Sequence, residues 1–183
     1  RTLRSDIGRV SQAVSEHGAE PGPTLPAMTW DAAEIEDAFE QYQHAANAAG
    51  RSGDWGPWVD CFTPDVHYIE HLYGEFHGRE AVLAWITKTM GAWPFTEMQL
   101  FPWDWYTVDA EQGWIVGQVE NRFVDPGDGK VYEGANWTRL VYAGGGLFSS
   151  EEDIYNPAHF GPMLEGWLAA YAEHHPDAPN GPA

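Results

Sequence analysis

Residues 68–82, YIEHLYGEFHGREAV, set a carboxylate directly beside an imidazole, Glu70 and His71. Either could move a proton near neutral pH. An imidazole titrates near pH 6.5, and a carboxyl is drawn into that range when burial penalises its charge. The stretch reads as a strand, in which successive side chains point to opposite faces. Only one of the pair can therefore look toward a core. The residues alone leave open whether His71 or Glu70 is the inward base. One residue of slip exchanges the two.

Partners for such a base stand elsewhere. Tyr42 lies on the apolar stripe Ile35, Ala38, Phe39, Tyr42, Ala46, Ala49, where a buried hydroxyl needs a hydrogen-bond partner. Asn136 alternates with Gly134, Thr138 and Leu140, so this face reads as a cavity wall and the face of Glu133, Trp137 and Arg139 as an outer surface. In FPWDWY, Asp104 sits between two tryptophans with Tyr106 two residues on. An inward Asp104 would have its pKa raised by the aromatic surroundings, and an outward one would leave Trp103 and Trp105 to the core. SSEEDIY offers Glu151, Glu152 and Asp153, with Glu152 and Ile154 on one face and Asp153 and Tyr155 on the other. The catalytic candidates are thus His71, Tyr42, Asn136, Glu70 and Asp104, and the candidate substrate contacts are Tyr106, Thr138, Trp85 and Glu152.

Other chemistries find no pattern. Cys61, the single cysteine, lies in the apolar string WVDCF and reads as a structural thiol. His67, His71 and His77 are near one another in sequence, but no His-Glu-x-x-His or Cys-x-x-Cys spacing accompanies them, so no metal or cofactor is expected. Nor is there a phosphate-binding glycine loop or a Gly-x-Ser-x-Gly elbow. A net charge of −19 repels phosphate backbones and anionic bilayers, so neither nucleic acid nor membrane is an expected partner. No run approaches the ~18 apolar residues of a membrane span, and the polar first residues do not read as a signal peptide, which makes a cytoplasmic protein the expectation. Ten Trp, eight Tyr and eight Phe in 183 residues exceed what a minimal core needs. Some are left over to line a cavity or a subunit interface.

Positioning these residues requires a set of elements. GAEPGPTLPAM marks residues 1–28 as a flexible extension and linker. A helix starts at Asp31, with Glu34 completing a capping-box pair, and Gly50 is its expected stop. PWVDCF reads as a short helix, VHYIEHLY as a strand and GREAVLAWITKTMG as a helix. Three strands follow, MQLFPWDWYTV, GWIVGQVENRFV and VYEGANWTRLVY, the last two joined by the turn DPGDGK. AGGG turns into a final strand, LFSSEEDIY. Asn156 and Pro157 then open a helix whose apolar residues, Phe160, Met163, Leu164, Trp167, Leu168 and Tyr171, repeat at helical spacing. Residues 29–175 make one α+β domain, a curved antiparallel sheet wrapped around helices as a cone, and 176–183 a disordered tail.

This order, and the string FTPDVHYIEHLYGEFHGREAVLAWI in particular, resembles the nuclear-transport-factor-2-like superfamily, whose members include ketosteroid isomerases, scytalone dehydratase, limonene epoxide hydrolase and SnoaL-like polyketide cyclases. The resemblance covers roughly residues 30–171. Ketosteroid isomerases place a tyrosine five residues before an Asn-Ala pair, as Tyr42 stands before Asn47-Ala48. They place a catalytic aspartate three residues before a glycine, as His71 precedes Gly74, while counting from Phe62 instead sets Glu70 opposite that aspartate. They place a second oxyanion donor where NWTRL has Asn136. The resemblance implies a cofactor-independent acid–base enzyme, of isomerase, cyclase or dehydratase type. Its substrate would be an apolar carbonyl-bearing molecule such as a polyketide, steroid or terpenoid. It also implies a homodimer. The same scaffold equally serves as a non-catalytic module that binds a lipophilic ligand or dimerises.

Overall fold

The computed structural model describes residues 29–178 and 181. The expected linker over 1–28 lies outside the described residues, as do residues 179, 180, 182 and 183 of the expected tail. The elements in chain order are α1 (Ala32–Ser52), α2 (Gly56–Val59), β1 (Phe62–Glu70), β2 (Gly74–His77), α3 (Arg79–Met90), a 3-10 turn (Phe95–Glu97), β3 (Met98–Leu100), β4 (Trp103–Asp109), β5 (Trp114–Phe123), β6 (Glu133–Gly144), β7 (Leu147–Ile154) and α4 (Pro157–His174).

Local chemistry accounts for most of these boundaries. Asp31 caps α1 by accepting from the Ala33 amide at 3.0 Å. The helix runs past the expected stop at Gly50 and ends at Gly53, whose φ of 76° is the left-handed turn that glycine tolerates. Gly50 serves packing instead: a Cβ there would lie 2.7 Å from the Gln99 carbonyl oxygen and 2.8 Å from the Phe101 ring. Asn156 caps α4 through the Ala158 amide, with Pro157 at the first position. Asp125 accepts from the amides of Gly127 and Gly129 and so closes the turn between β5 and β6.

The seven strands form one mixed, curved and unclosed sheet in the order β2-β1-β7-β6-β5-β3, with β4 also on β5. The architecture is an α+β cone. Three expectations are corrected. The sheet is not purely antiparallel, because β1 and β7 pair in parallel, Tyr68 opposite Glu151 and Glu70 opposite Asp153. No hairpin joins these strands, so nothing local fixes their relative direction. The segment read as a single strand from Met98 is two, broken at Phe101–Pro102, since proline cannot donate to a ladder. Finally, GEFH after the first strand is itself a strand, β2.

Two apolar clusters flank the hollow of the cone. One joins α1, α2 and α3 to the sheet through Phe39, Trp58, Phe62, Val82 and Phe148. The other seats α4 on β5 around Trp167, Phe123 and Met98. Trp167 is fully buried, stacks on Tyr171 at 4.9 Å and donates its indole N–H to the Val124 carbonyl at 2.8 Å. Trp167→Ala removes both the ring and this bond, and is expected to cost about 3–5 kcal/mol. Urea unfolding followed by circular dichroism measures that loss.

Candidate active site

Between the two clusters lies a cavity of about 260 Å³. Trp55, Trp58, Trp85, Trp103, Phe101 and Phe123 supply much of its wall. Polar groups reach it from strands β1, β5, β6 and β7 and from helices α1 and α3, and among the described lining residues there is no Lys, Arg or His.

The period of two along β7 turns Glu151 and Asp153 inward together, and both are buried. β1 lies parallel beside it and turns Tyr68 and Glu70 into the same hollow, while β6 on the other side contributes Asn136 and Thr138. The Tyr42 hydroxyl, from α1, donates to the Glu151 carboxylate with both oxygens at 2.9 Å. The Tyr68 hydroxyl bridges the two acids, 3.2 Å from Glu151 Oε1 and in short contact with Asp153 Oδ2. Thr138 donates to Asp153 Oδ1 at 2.5 Å.

Burial is the main electrostatic influence. It pushes the Glu151 carboxyl well above the usual range, with the Asp153 charge adding to the shift and the tyrosine hydrogen bonds opposing it. Asp153 is also raised by burial, but hydrogen bonds from Thr138, Tyr68 and Asn136 favour its ionised form. Burial and the same acids raise both phenols, so Tyr42 and Tyr68 remain protonated donors. Counting hydrogens requires one proton between the two acids. Tyr68 has one O–H for two carboxyls, so with both ionised one contact would set oxygen against oxygen. A proton on either acid resolves the conflict. The donors that Thr138 and Asn136 supply to Asp153 place it on Glu151, which then donates to Tyr68 while Tyr68 donates to Asp153. The arrangement is a neutral acid, a hydroxyl relay and a carboxylate, in line on the wall of an apolar chamber.

The structure separates the sequence candidates into two groups. Tyr42, Asn136, Glu70, Thr138 and Trp85 line the cavity. Asn136 is buried, and its Oδ1 has no hydrogen-bond partner within the protein. Glu70 Oε2 accepts from the amides of Leu72 and Tyr73 at 2.7 and 2.6 Å, and so braces the turn between β1 and β2.

The others lie outside. His71 does not point inward as expected. Because Glu70 does, its neighbour falls on the outer side, half exposed, with Nε2 3.0 Å from Glu152. Glu152 is on that outer side too, held by His71 and by Arg139 at 2.8 Å. Asp104 is exposed at an irregularity in β4, where the register against β5 shifts between Trp103 and Trp105. The shift sends Trp103 into the cavity and Trp105 out against Trp137. Tyr106 touches Phe39, at 4.8 Å between rings, but is exposed and does not line the cavity. Cys61 is half-buried, and burial moves its thiol up to about 11. Sequence reasoning missed Tyr68 and, among the acids of β7, named the outer Glu152 rather than the inward Glu151 and Asp153. Tyr68 was within reach, since it shares a face with Glu70 once the register is known.

A family model for the SnoaL-like domain matches residues 39–148. The chain belongs to the SnoaL-like domain family. The matched segment stops just before Glu151, so the carboxyl pair of this SnoaL-like protein lies beyond it. A search of curated proteins found no match. Among solved structures, the chain is similar to an LEH-like epoxide hydrolase from M. tuberculosis, with TM-score 0.56 and 10% identity over 78% of this chain and 97% of that one. It is similar to a protein with a ketosteroid isomerase-like fold from Catenulispora acidiphila, solved with trimethylamine, with TM-score 0.54 and 16% identity over 67% and 91%. An NTF2-like protein from Anabaena variabilis gives TM-score 0.51 and 16% identity over 70% and 94%. At these identities the likeness concerns the fold. No helix among the described residues is long and apolar enough to cross a membrane.

The Glu151 shift carries a sign for stability. The native state keeps a proton that the unfolded chain releases above pH 4.5, the ordinary value. The stabilisation is fully present below that value and is lost as pH rises toward the raised folded one. Glu151→Gln keeps the shape but cannot ionise. It is expected to flatten the decline by up to ~1.4 kcal/mol per pH unit, measured by urea unfolding at a series of pH values against the unsubstituted protein.

Proposed function

We propose that this SnoaL-like protein is a cofactor-independent acid–base enzyme that moves a proton on an apolar, carbonyl-bearing small molecule. The supporting observation is the Glu151–Tyr68–Asp153 relay on the wall of an aromatic cavity. Asp153, the ionised member, takes the proton from carbon beside the carbonyl. Glu151, neutral through burial, supplies one by way of Tyr68. Tyr42 positions Glu151, and the unpaired Oδ1 of Asn136 accepts from a donor on the substrate. Aromatic walls exclude water and strengthen each of these contacts. Isomerisation, cyclisation and dehydration all begin with this proton abstraction, and polyketides, steroids and terpenoids have the required apolar bulk.

The fold neighbours include an LEH-like epoxide hydrolase. The absence of a basic residue in the described cavity lining fits an uncharged substrate better than an anionic one. On the outer face, Trp105 and Trp137 are exposed and meet edge to face at 5.6 Å, near the exposed Ile154. This apolar patch supports the homodimer.

The test uses 2-tetralone, an apolar bicyclic ketone, in deuterated buffer, with exchange of its α-protons followed by NMR. The expected result is exchange above the buffer rate, reduced about 10²–10⁴-fold by Asp153→Asn and unaffected by His71→Ala. Tryptophan fluorescence measures binding in parallel. Ketone that binds yet exchanges only at the buffer rate would replace the enzyme by a lipophilic-ligand carrier.

A further inference from the structure

We propose that His67, Glu75 and His77 form a surface site for a divalent transition-metal ion, clasping the β1–β2 hairpin on the side away from the cavity. The antiparallel register sets His67 directly opposite His77 and Ile69 opposite Glu75. Glu75 and His77 are two residues apart on β2 and share a face, the one His67 occupies on β1. Their ligating atoms all lie within 4.8 Å of one another. The imidazoles stack with centroids 4.5 Å apart and planes 12° from parallel, and His67 Nε2 is 2.7 Å from Glu75 Oε2.

Two imidazole nitrogens and one carboxylate oxygen are the donors that Zn²⁺ and its neighbours favour. Mg²⁺ and Ca²⁺ prefer oxygen alone, so the histidines select against them. Tetrahedral Zn²⁺ with bonds near 2.05 Å places its ligands about 3.3 Å apart. Glu75 and His77 are exposed and free to turn through the remaining ångström or so. Three protein ligands leave one position for water. The ion would also displace the proton shared between His67 and Glu75, and a chain of charge −19 attracts cations from solution.

The site's place gives it an effect. Beyond it the hairpin turn carries Leu72 and Tyr73, half-exposed residues that line the cavity and therefore stand at its rim. Glu70, which braces that turn, is opposite Gly74. An ion that ties β1 to β2 would stiffen the edge through which a ligand passes. The site does not depend on the acid–base reading.

The experiment titrates the full chain, stripped of metal by a chelator and dialysed, with Zn²⁺ in a calorimeter under excess Mg²⁺ to mask diffuse carboxylate binding. His77→Ala and Glu75→Gln are compared, both at exposed positions, with circular dichroism as the check on folding. Saturable Zn²⁺ binding that each substitution weakens at least tenfold is expected, because even outer-sphere partners change metal affinity by 10–100-fold. Co²⁺ should give visible absorption that His77→Ala abolishes. Equal Zn²⁺ affinity in all three proteins, or none that saturates, overturns the proposal.

Discussion

Glu151 and Asp153 are two carboxyls on one face of one strand, and both are removed from water with no cationic side chain beside them among the described residues. Two negative charges in that position would cost several kcal/mol, so the chamber around them has to deal with the charge in another way. It holds one acid neutral and supplies hydroxyl donors to the other. Every surrounding element contributes: α1 brings Tyr42, β1 brings Tyr68 and β6 brings Thr138. None of these groups is near the acids in sequence, so the polar cluster also fixes how the helix and the three strands meet. Stability and reactivity have the same origin here, because the burial that makes Glu151 costly to ionise is what leaves it a proton to give.

The sheet geometry makes such a cluster possible. An antiparallel neighbour on one side of β7 and a parallel one on the other both align their inward residues with Glu151 and Asp153. The aromatic wall then keeps the cluster dry. Phe39, Trp58, Phe62 and Phe148 meet Tyr42 at ring separations of 5.9–6.2 Å, which holds its hydroxyl in place with few alternative rotamers. The outer face of the same strands is ionic instead, with His71, Glu152 and Arg139 in one linked set. Alternation alone separates these two chemistries across the thickness of a sheet.

Local signals were legible in the sequence. The spacing of Ile35, Phe39 and Tyr42 gave α1, and that of Phe160, Leu164 and Trp167 gave α4. The faces of β6 were correctly divided between Asn136 and Trp137. Long-range signals were not legible. Whether Glu70 or His71 faces inward depends on the partner strand, and β1 pairs with a segment some eighty residues away. Glu151 and Asp153 were visible as acids, but their burial comes from packing that no local pattern encodes. The bulge at Asp104 has the same character: it turns Trp105 outward, whereas simple alternation would have kept it on the face of Trp103. Glu75 escaped notice beside the histidines because GEFH was not recognised as a strand.

The parallel pairing of β1 with β7 also dictates when the chamber can exist. Tyr42 and Glu151 are 109 residues apart, and β1 keeps an unpaired edge until β7 arrives. On a translating ribosome α1 and the β1–β2 hairpin emerge well before the strand that brings the acids. Because β7 lies between β1 and β6, the last strand closes the sheet gap and installs the reactive groups in a single event.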